Sequence, residues 1–429
     1  MRNEQQVIRP IVVGGDIGAY ATARAFHEAY GVRTVVLAGV RVGAVAHSRI
    51  VDLRITPGLD DPGVLGTAVL QVVAEEPAAT HLVLGSADWL VTALTRVRER
   101  LEEAGAVVPY PDHELVERVA DKAVLMDLAE TGGVAHPRTI VAVPRDEEPE
   151  VTFAFPVVVK PASTAAAQAV EYPGKAKAHV LRDAQQLHEL WRTMRTAGVD
   201  VPMLVQEFIA GPDSSMAAVN VFIDPAGRVR VAQFGRVLLE EHAPTAVGNS
   251  VVQITTDPAG AQARAVRDVV SLLRRLGWRG FANADLKRGP DGTYRLLEIN
   301  PRVGRSGYAV TASGYNVAGM YGETFLHTPP AEPWRTGPLR DVPAQRDGED
   351  VIPVATAQHI FTVVPWQVLR RYLSAPLRAQ VRRVWRAGAV TNPLYYPVER
   401  HPRRWAYIAA AMANYRRKLA RHHPRRRPS

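Results

Sequence analysis

Two acids and an amide stand close together late in the chain. They are Asp285, Glu298 and Asn300, within Gly280-Phe-Ala-Asn-Ala-Asp-Leu-Lys-Arg-Gly-Pro-Asp-Gly-Thr-Tyr-Arg-Leu-Leu-Glu-Ile-Asn-Pro-Arg302. Gly289-Pro-Asp-Gly292 is a turn signal between two strand-like runs, so the block predicts a β-hairpin. With Lys287 across from Tyr294, Asp285 opposes Leu296. Asp285, Glu298 and Asn300 then share one face, because side chains repeat every second residue. Two carboxylates and an amide oxygen are hard donors of the kind Mg²⁺ takes. The same residues also read as a polar hairpin face. But Glu298 and Asn300 interrupt an apolar strand, where unpaired polar groups are costly.

The cations are informative through their type. Only six of the 52 basic residues are lysine: Lys122, Lys160, Lys175, Lys177, Lys287 and Lys418. In so Arg-biased a chain, a lysine marks a place for a compact point charge rather than a planar fork. Lys160 ends the run Phe155-Pro-Val-Val-Val-Lys-Pro161, before a small-residue loop at 162–168. Such a lysine can reach a phosphate while the loop backbone approaches other oxygens; taken alone, it reads equally as a strand end facing water. In Met203-Leu-Val-Gln-Glu207-Phe-Ile-Ala-Gly-Pro-Asp213 a strand runs through an acid into a turn with a second acid. Carboxylates there could accept hydrogen bonds from ribose hydroxyls.

The elements that must hold these residues alternate early and change later. Apolar runs at Ile8–Val13, Arg33–Ala38 and His81–Gly85 alternate with helical patterns at Ala19–Tyr30 and Trp89–Ala104, which predicts a parallel sheet. Gly14-Gly15-Asp16-Ile17-Gly18 lacks the G-x-G-x-x-G spacing of a dinucleotide site and reads as a tight strand–helix turn. Asp16 and Asp88, each at a strand end, stay open as substrate-facing acids. Asp112–Leu128 reads as one helix and Arg138–Val143 as a strand. From 151 to about 326 the pattern is strand-rich, with helices at Ala184–Ala197 and Ala259–Leu276. Residues 329–350 read as an exposed connection, and Trp366–Leu373 and Arg403–Leu419 as helices.

The chain has 429 residues, no cysteine and a net charge of +9. That excludes disulfides, thiolate metal sites and a cysteine nucleophile. From Arg370 onward there are 16 basic residues and one acid, so the excess charge belongs to one end and the body is mildly acidic. Nucleic acid is therefore not expected as a partner, whereas peripheral contact of this end with anionic lipid is open. No apolar run reaches spanning length, and a cytoplasmic protein is expected.

Taken in order, Asp121-Lys122, Phe155–Pro161, Gln206–Asp213, Asp285-Leu-Lys and Glu298-Ile-Asn-Pro-Arg302 resemble the ATP-grasp superfamily. The loop after Lys160 and Gly174-Lys-Ala-Lys177 look most like its D-aspartate ligase type of carboxylate–amine ligase. The resemblance implies an α/β chain, α+β in its catalytic part. A Rossmann-like pre-ATP-grasp domain (1–110) precedes a two-lobed ATP-grasp domain (111–328) and a linker with a basic helical extension (329–429). It implies ATP with Mg²⁺, two ions, Mn²⁺ being the alternative. Lys122 and Lys160 would contact phosphates and the adenine edge, helped by the Ser163 hydroxyl. Glu207 with the Phe208-Ile209 backbone would bind adenine, and Asp213 ribose. Asp285, Glu298 and Asn300 would ligate metal, Arg302 would stabilise the transferred phosphoryl group, and Lys287 would lie beside the metal hairpin. The implied activity is amide formation from a carboxylate and an amine through an acylphosphate, with D-aspartate and a cell-wall peptide as leading substrates. Kinase or carboxylase-type chemistry, or a non-catalytic nucleotide-binding regulator, are the alternatives. Arg236 and Arg305 are candidates for gripping a substrate carboxylate, and His242 reads as a solvated loop histidine. The oligomeric state is not read from sequence.

Overall fold

Apolar runs separated by amphipathic helices build the first unit. The computed structural model describes residues 7–163, 170–243, 246, 248–344 and 350–423. Strands β1 (Ile8–Val13), β2 (Thr34–Ala38), β3 (Val51–Ile55), β4 (Thr80–Gly85) and β5 (Ala106–Val107) form a parallel sheet in the order β3-β2-β1-β4-β5. Chain order reverses between β1 and β4, so the crevice past their carboxyl ends is a topological switch point, where such sheets hold ligands. Asp16 follows β1 and caps the helix Ile17–Tyr30 by accepting from Ala19 N–H at 3.0 Å. Asp88 follows β4. Gly14 has φ 113°, and a Cβ there would overlap Ser86 Oγ, so this turn exists to let the two strand ends close together. The segment expected as one helix over 89–104 is two, Asp88–Arg96 and Arg98–Glu103. The break at Val97 frees Arg98 to donate to the Tyr110 and Pro111 carbonyls.

A small antiparallel sheet follows: β6 (Thr139–Ala142), β7 (Val157–Pro161), β8 (His179–Leu181) and β9 (Met203–Glu207), in the order β6-β9-β7-β8. Val157 and Val159 pack with Trp191, Met194, Met203 and Val205. Strand alternation therefore turns Lys160 to the opposite face.

The large sheet is antiparallel through β10 (Met216–Ile223), β11 (Val229–Glu240), β12 (Ser250–Thr256), β13 (Gly280–Arg288) and β14 (Tyr294–Asn300), in the order β14-β13-β10-β11-β12. Its inner face puts Val219, Val221, Phe234, Ala282, Ala284 and Leu286 against Leu125 and Met126 of helix Lys122–Thr131 and Val266 and Val269 of helix Ala261–Arg275. The other face carries the polar residues. Residues 329–350 are not merely an exposed connection: β15 (Leu339–Pro343) pairs with β16 (Val351–Ala355), which joins β11. β17 (Ile360–Thr362) and β18 (Val390–Thr391) extend the same sheet beyond β12.

The C-terminal helix Pro402–His422 returns to the first unit. Arg404 is wholly buried there, donating to Ala44 O at 2.8 Å, stacked over the Tyr20 ring and 3.5 Å from the Glu399 carboxylate. The basic end is thus partly a packing element. Removing one partner of a buried pair strands the other charge, so Arg404→Ala should cost about 3–5 kcal/mol in urea unfolding. Arg403→Ala, exposed on the same helix, should stay within about 0.5 kcal/mol. Equal effects would contradict this anchoring.

Candidate active site

The metal hairpin forms, with a different register. Asn283 pairs with Asn300, Ala284 with Ile299 and Asp285 with Glu298, after which Leu286 pairs with Leu296. Leu297 is left as a bulge, because the Leu296 N–H donates to Ala135 O at 2.8 Å, a carbonyl from the segment before β6. Asp285 therefore faces Glu298 directly, not Leu296. Asp285, Glu298 and Asn300 still lie on one face, since directly opposed residues share a side.

These groups carry the electrostatics of an ion site. Burial raises the Asp285 carboxyl well above the usual range, and Glu298 raises it further. Burial also opposes ionisation of Glu298, but Lys122, Lys160 and Lys177 outweigh it and hold that carboxyl below its ordinary value. The two carboxyls are thus pushed in opposite directions, Asp285 up and Glu298 down, and a divalent cation between them would favour the ionised form of both. Asn300 Nδ2 donates to Asp285 Oδ2 at 3.3 Å and Asn283 Oδ1 at 3.2 Å, leaving Asn300 Oδ1 as its ligating atom. Two acids and an amide oxygen fit Mg²⁺.

Two lysines approach this pair, Lys122 from the start of its helix and Lys160 from the small sheet. Lys122 begins its helix, whose N-cap Asp121 accepts from the Ala123 and Val124 N–H groups. This cap divides the helix expected over 112–128. Lys122 Nζ lies 3.8 Å from Glu298 Oε2, and its N–H donates to Ala162 O at 2.9 Å, tying the lysine to the end of β7 beside Ser163. The loop residues 164–168 lie outside the described residues. Burial pushes the Lys160 ammonium down to about 8, Glu298 opposing and Lys122 and Lys177 assisting. A phosphate needs the charged form, which is lost as pH rises through about 8. The KM for ATP should therefore climb on the alkaline side of pH 8, and a flat profile to pH 9.5 would refute this role for Lys160.

Arg302 leaves the hairpin for the switch-point crevice, where its guanidinium donates to Asp88 Oδ2 at 2.8 Å. Arg302 Nε and Asp88 Oδ1 are both buried without a protein partner. Buried polar atoms are normally satisfied, so this crevice is shaped for a polar ligand.

The adenine and ribose residues are placed unevenly. Glu207 lies on the face of Val157 and Val205, opposite Lys160, and its carboxylate accepts from Arg138. Its carboxylate is thereby engaged, leaving its backbone and that of Phe208-Ile209 as the parts that could meet a ligand. Gln206, which sequence reasoning did not single out, is buried on the Lys160 side and donates to Thr139 Oγ1. Lys287 sits 5.2 Å above the Phe208 ring centre, linking the hairpin to the 207–209 segment. Asp213 accepts from His242 Nε2 at 3.0 Å and from the Glu240 N–H at 3.0 Å, and His423 Nε2 lies 3.4 Å away. His242 is therefore not a solvated loop residue; the Asp213 carboxylate raises its pKa. Burial, then Asp213, lifts the nearby Glu240 carboxyl to about 7. Nothing near His242 in sequence announces these contacts, which span three separate segments.

Arg236 is not brought to the cluster. Asp285, Ala218 and Gly235 are cross-strand neighbours, so Arg236 points to the opposite face and donates to Ser214 O at 2.9 Å. Arg305 lies three residues beyond Arg302, against Glu241 and Tyr415. A row of amides, Asn300–Asn283–Asn220–Gln233, crosses four strands beneath the acids, and no motif signals it.

A small lobe over an antiparallel sheet, with lysines facing an Asp/Glu/Asn hairpin, defines an ATP-grasp ligase. The D-aspartate ligase of Enterococcus faecium is 32% identical over 326 residues, covering 73% of this chain and 76% of that protein. A D-alanine–D-alanine ligase of Gloeobacter violaceus is 27% identical over 206 residues, 47% of this chain and 64% of that protein. In fold, the chain matches N5-carboxyaminoimidazole ribonucleotide synthetase in its ADP complex with TM-score 0.57 and 15% identity, over 89% of this chain and 97% of that one. An L-amino acid ligase of Bacillus licheniformis matches with TM-score 0.55 and 16% identity, over 75% of each chain. No protein-family model matches the chain. The chain belongs to the D-aspartate ligase family of ATP-grasp enzymes, and is an ATP-dependent ligase that joins a carboxylate to an amine.

Proposed function

We propose that this ligase joins an acidic amino acid such as D-aspartate to an amine of a peptide or cell-wall precursor. The substrate class follows the named activity of the 32% identical relative. The observation that carries the site reading is the direct Asp285–Glu298 pair facing Lys122 and Lys160.

In this reading Lys122 and Lys160 hold the nucleotide phosphates, with Ser163 beside them. The Glu207–Ile209 backbone meets adenine, and Asp213 meets ribose. Asp285, Glu298 and Asn300 would hold Mg²⁺, two ions in this reading, which would supply neutralisation of the phosphate charge. Lys287 keeps the 207–209 segment over the hairpin. Arg302, fixed by Asp88, faces the charge that develops as the γ-phosphoryl passes to the carboxylate, releasing ADP. The amine then attacks the acylphosphate carbon, phosphate leaves, and the amine loses a proton. Holding acid and amine together while water is kept out is the chain's part in this second step.

The test is ADP release from wild-type protein offered D-aspartate and a lysine-containing peptide. Release should need both, and the product mass should equal their sum less one water. No turnover with any acidic amino acid would refute the substrate reading.

A further inference from the structure

Among the six lysines, Lys418 stands apart from the site above. Lys418 lies on the C-terminal helix beside Arg416 and Arg417, far in sequence from every nucleotide motif. Its ammonium is 3.2 Å from Glu241 Oε2, just past β11. Glu241 is 3% exposed, and Arg305 approaches its other oxygen at 3.5 Å. Arg305 also donates to the Tyr415 hydroxyl, one helical turn before Lys418, and its guanidinium lies 5.9 Å from that ring centre.

Two cations thus share one buried acid, while each keeps part of its own side chain in solvent, 28% for Arg305 and 38% for Lys418. Solvent-reached cations arranged around one acid can take up a second anion without first displacing Glu241. Arg305 Nε is moreover buried without a protein partner, and a guanidinium fork suits a carboxylate. The group adjoins the reacting end of the site. Arg305 is three residues past Arg302, and Asp16, at the end of β1, acts electrostatically on both Arg302 and Tyr415.

We infer that Arg305, Tyr415 and Lys418 form the subsite for the non-reacting carboxylate of the amino-acid substrate. The C-terminal helix is then part of the ligase site and sets its preference for acidic amino acids. Arg302 meets the carboxylate being phosphorylated, and the second carboxylate lies against Arg305, with Lys418 as counter-charge and the Tyr415 hydroxyl as a donor. A neutral amino acid supplies no second anion to these cations. The inference rests on the acidic-amino-acid reading above, but adds residues from an element that reading does not use.

The experiment is steady-state ADP release by the full-length protein, comparing wild type with Lys418→Met and Tyr415→Phe. Both changes are small and lie on the partly exposed side of the helix, and thermal melts check folding. The KM for D-aspartate should rise about tenfold to a hundredfold, the loss of a hydrogen bond or contact to a charged group. The KM for ATP should stay at the wild-type value, and the D-aspartate over D-alanine preference should fall by a similar factor. Wild-type KM values for D-aspartate in both folded variants would overturn the inference. So would a rise confined to the KM for ATP, which would assign the group to nucleotide phosphate. If wild type turns over no acidic amino acid, the proposed function itself fails, a result distinct from either of these.

Discussion

Glu298→Gln is expected to lower ADP release by roughly a hundredfold to a thousandfold or more, the scale for removing a group that organises transition-state charge. Gln keeps the shape and the strand pairing but deletes the carboxylate that Lys122, Lys160 and Lys177 face. Two electrostatic consequences follow with definite signs. Asp285 loses the neighbour that raises its pKa, so it ionises more readily. Lys160 loses the charge that supports its protonation, so its pKa falls below about 8. Because the ammonium is required and is lost above its pKa, the alkaline rise in the KM for ATP should move to lower pH. Near-wild-type turnover in a folded variant, or an unmoved pH limb, would remove Glu298 from the metal–phosphate site.

The second large effect is at Arg302. Arg302→Met should lower kcat by about a hundredfold to a thousandfold, with a smaller change in the KM for ATP. The single variant carries a complication, since Asp88, with one carboxylate oxygen buried, would be left without its cation. Adding Asp88→Asn removes that stranded charge. The double variant should regain thermal stability and remain inactive, which separates a chemical role from a structural one. Arg302→Lys should fall between, because an ammonium keeps the charge but not the fork. Activity recovering with stability in the double variant would show that Arg302 only braces the crevice.

The parts of the molecule that were legible in sequence are those set by local pattern. The hairpin followed from Gly289-Pro-Asp-Gly292, and the parallel sheet from alternating apolar runs and helices. Its register was not legible, because the bulge at Leu297 depends on a hydrogen bond to Ala135, some 160 residues earlier in the chain. Asp121 was readable as a helix N-cap, since Asp is favoured there, and that would have divided the helix over 112–128 correctly. The face of Glu207 was set by which valines of β7 the small lobe buries, a tertiary matter. Arg236 was a candidate from its place in sequence between the nucleotide motif and the metal hairpin, but strand alternation turns it away. Gln206, the amide row and the Asp213–His242–His423 contact have no sequence signature, because each joins residues from different elements. The lysine count was a better guide. In an Arg-rich chain Lys122, Lys160 and Lys287 all lie around the acids or the 207–209 segment, and Lys418 marks the C-terminal group.

The central claim is most directly tested by measuring ADP and product mass together, in one reaction of wild-type protein with ATP, Mg²⁺, D-aspartate and a lysine-containing peptide. The account predicts ADP and amide in equal amounts, a product weighing the sum of acid and peptide less one water, and little ADP when the peptide is omitted. ADP formed at an undiminished rate without the amine, with a phosphorylated acid as the sole product, would contradict it.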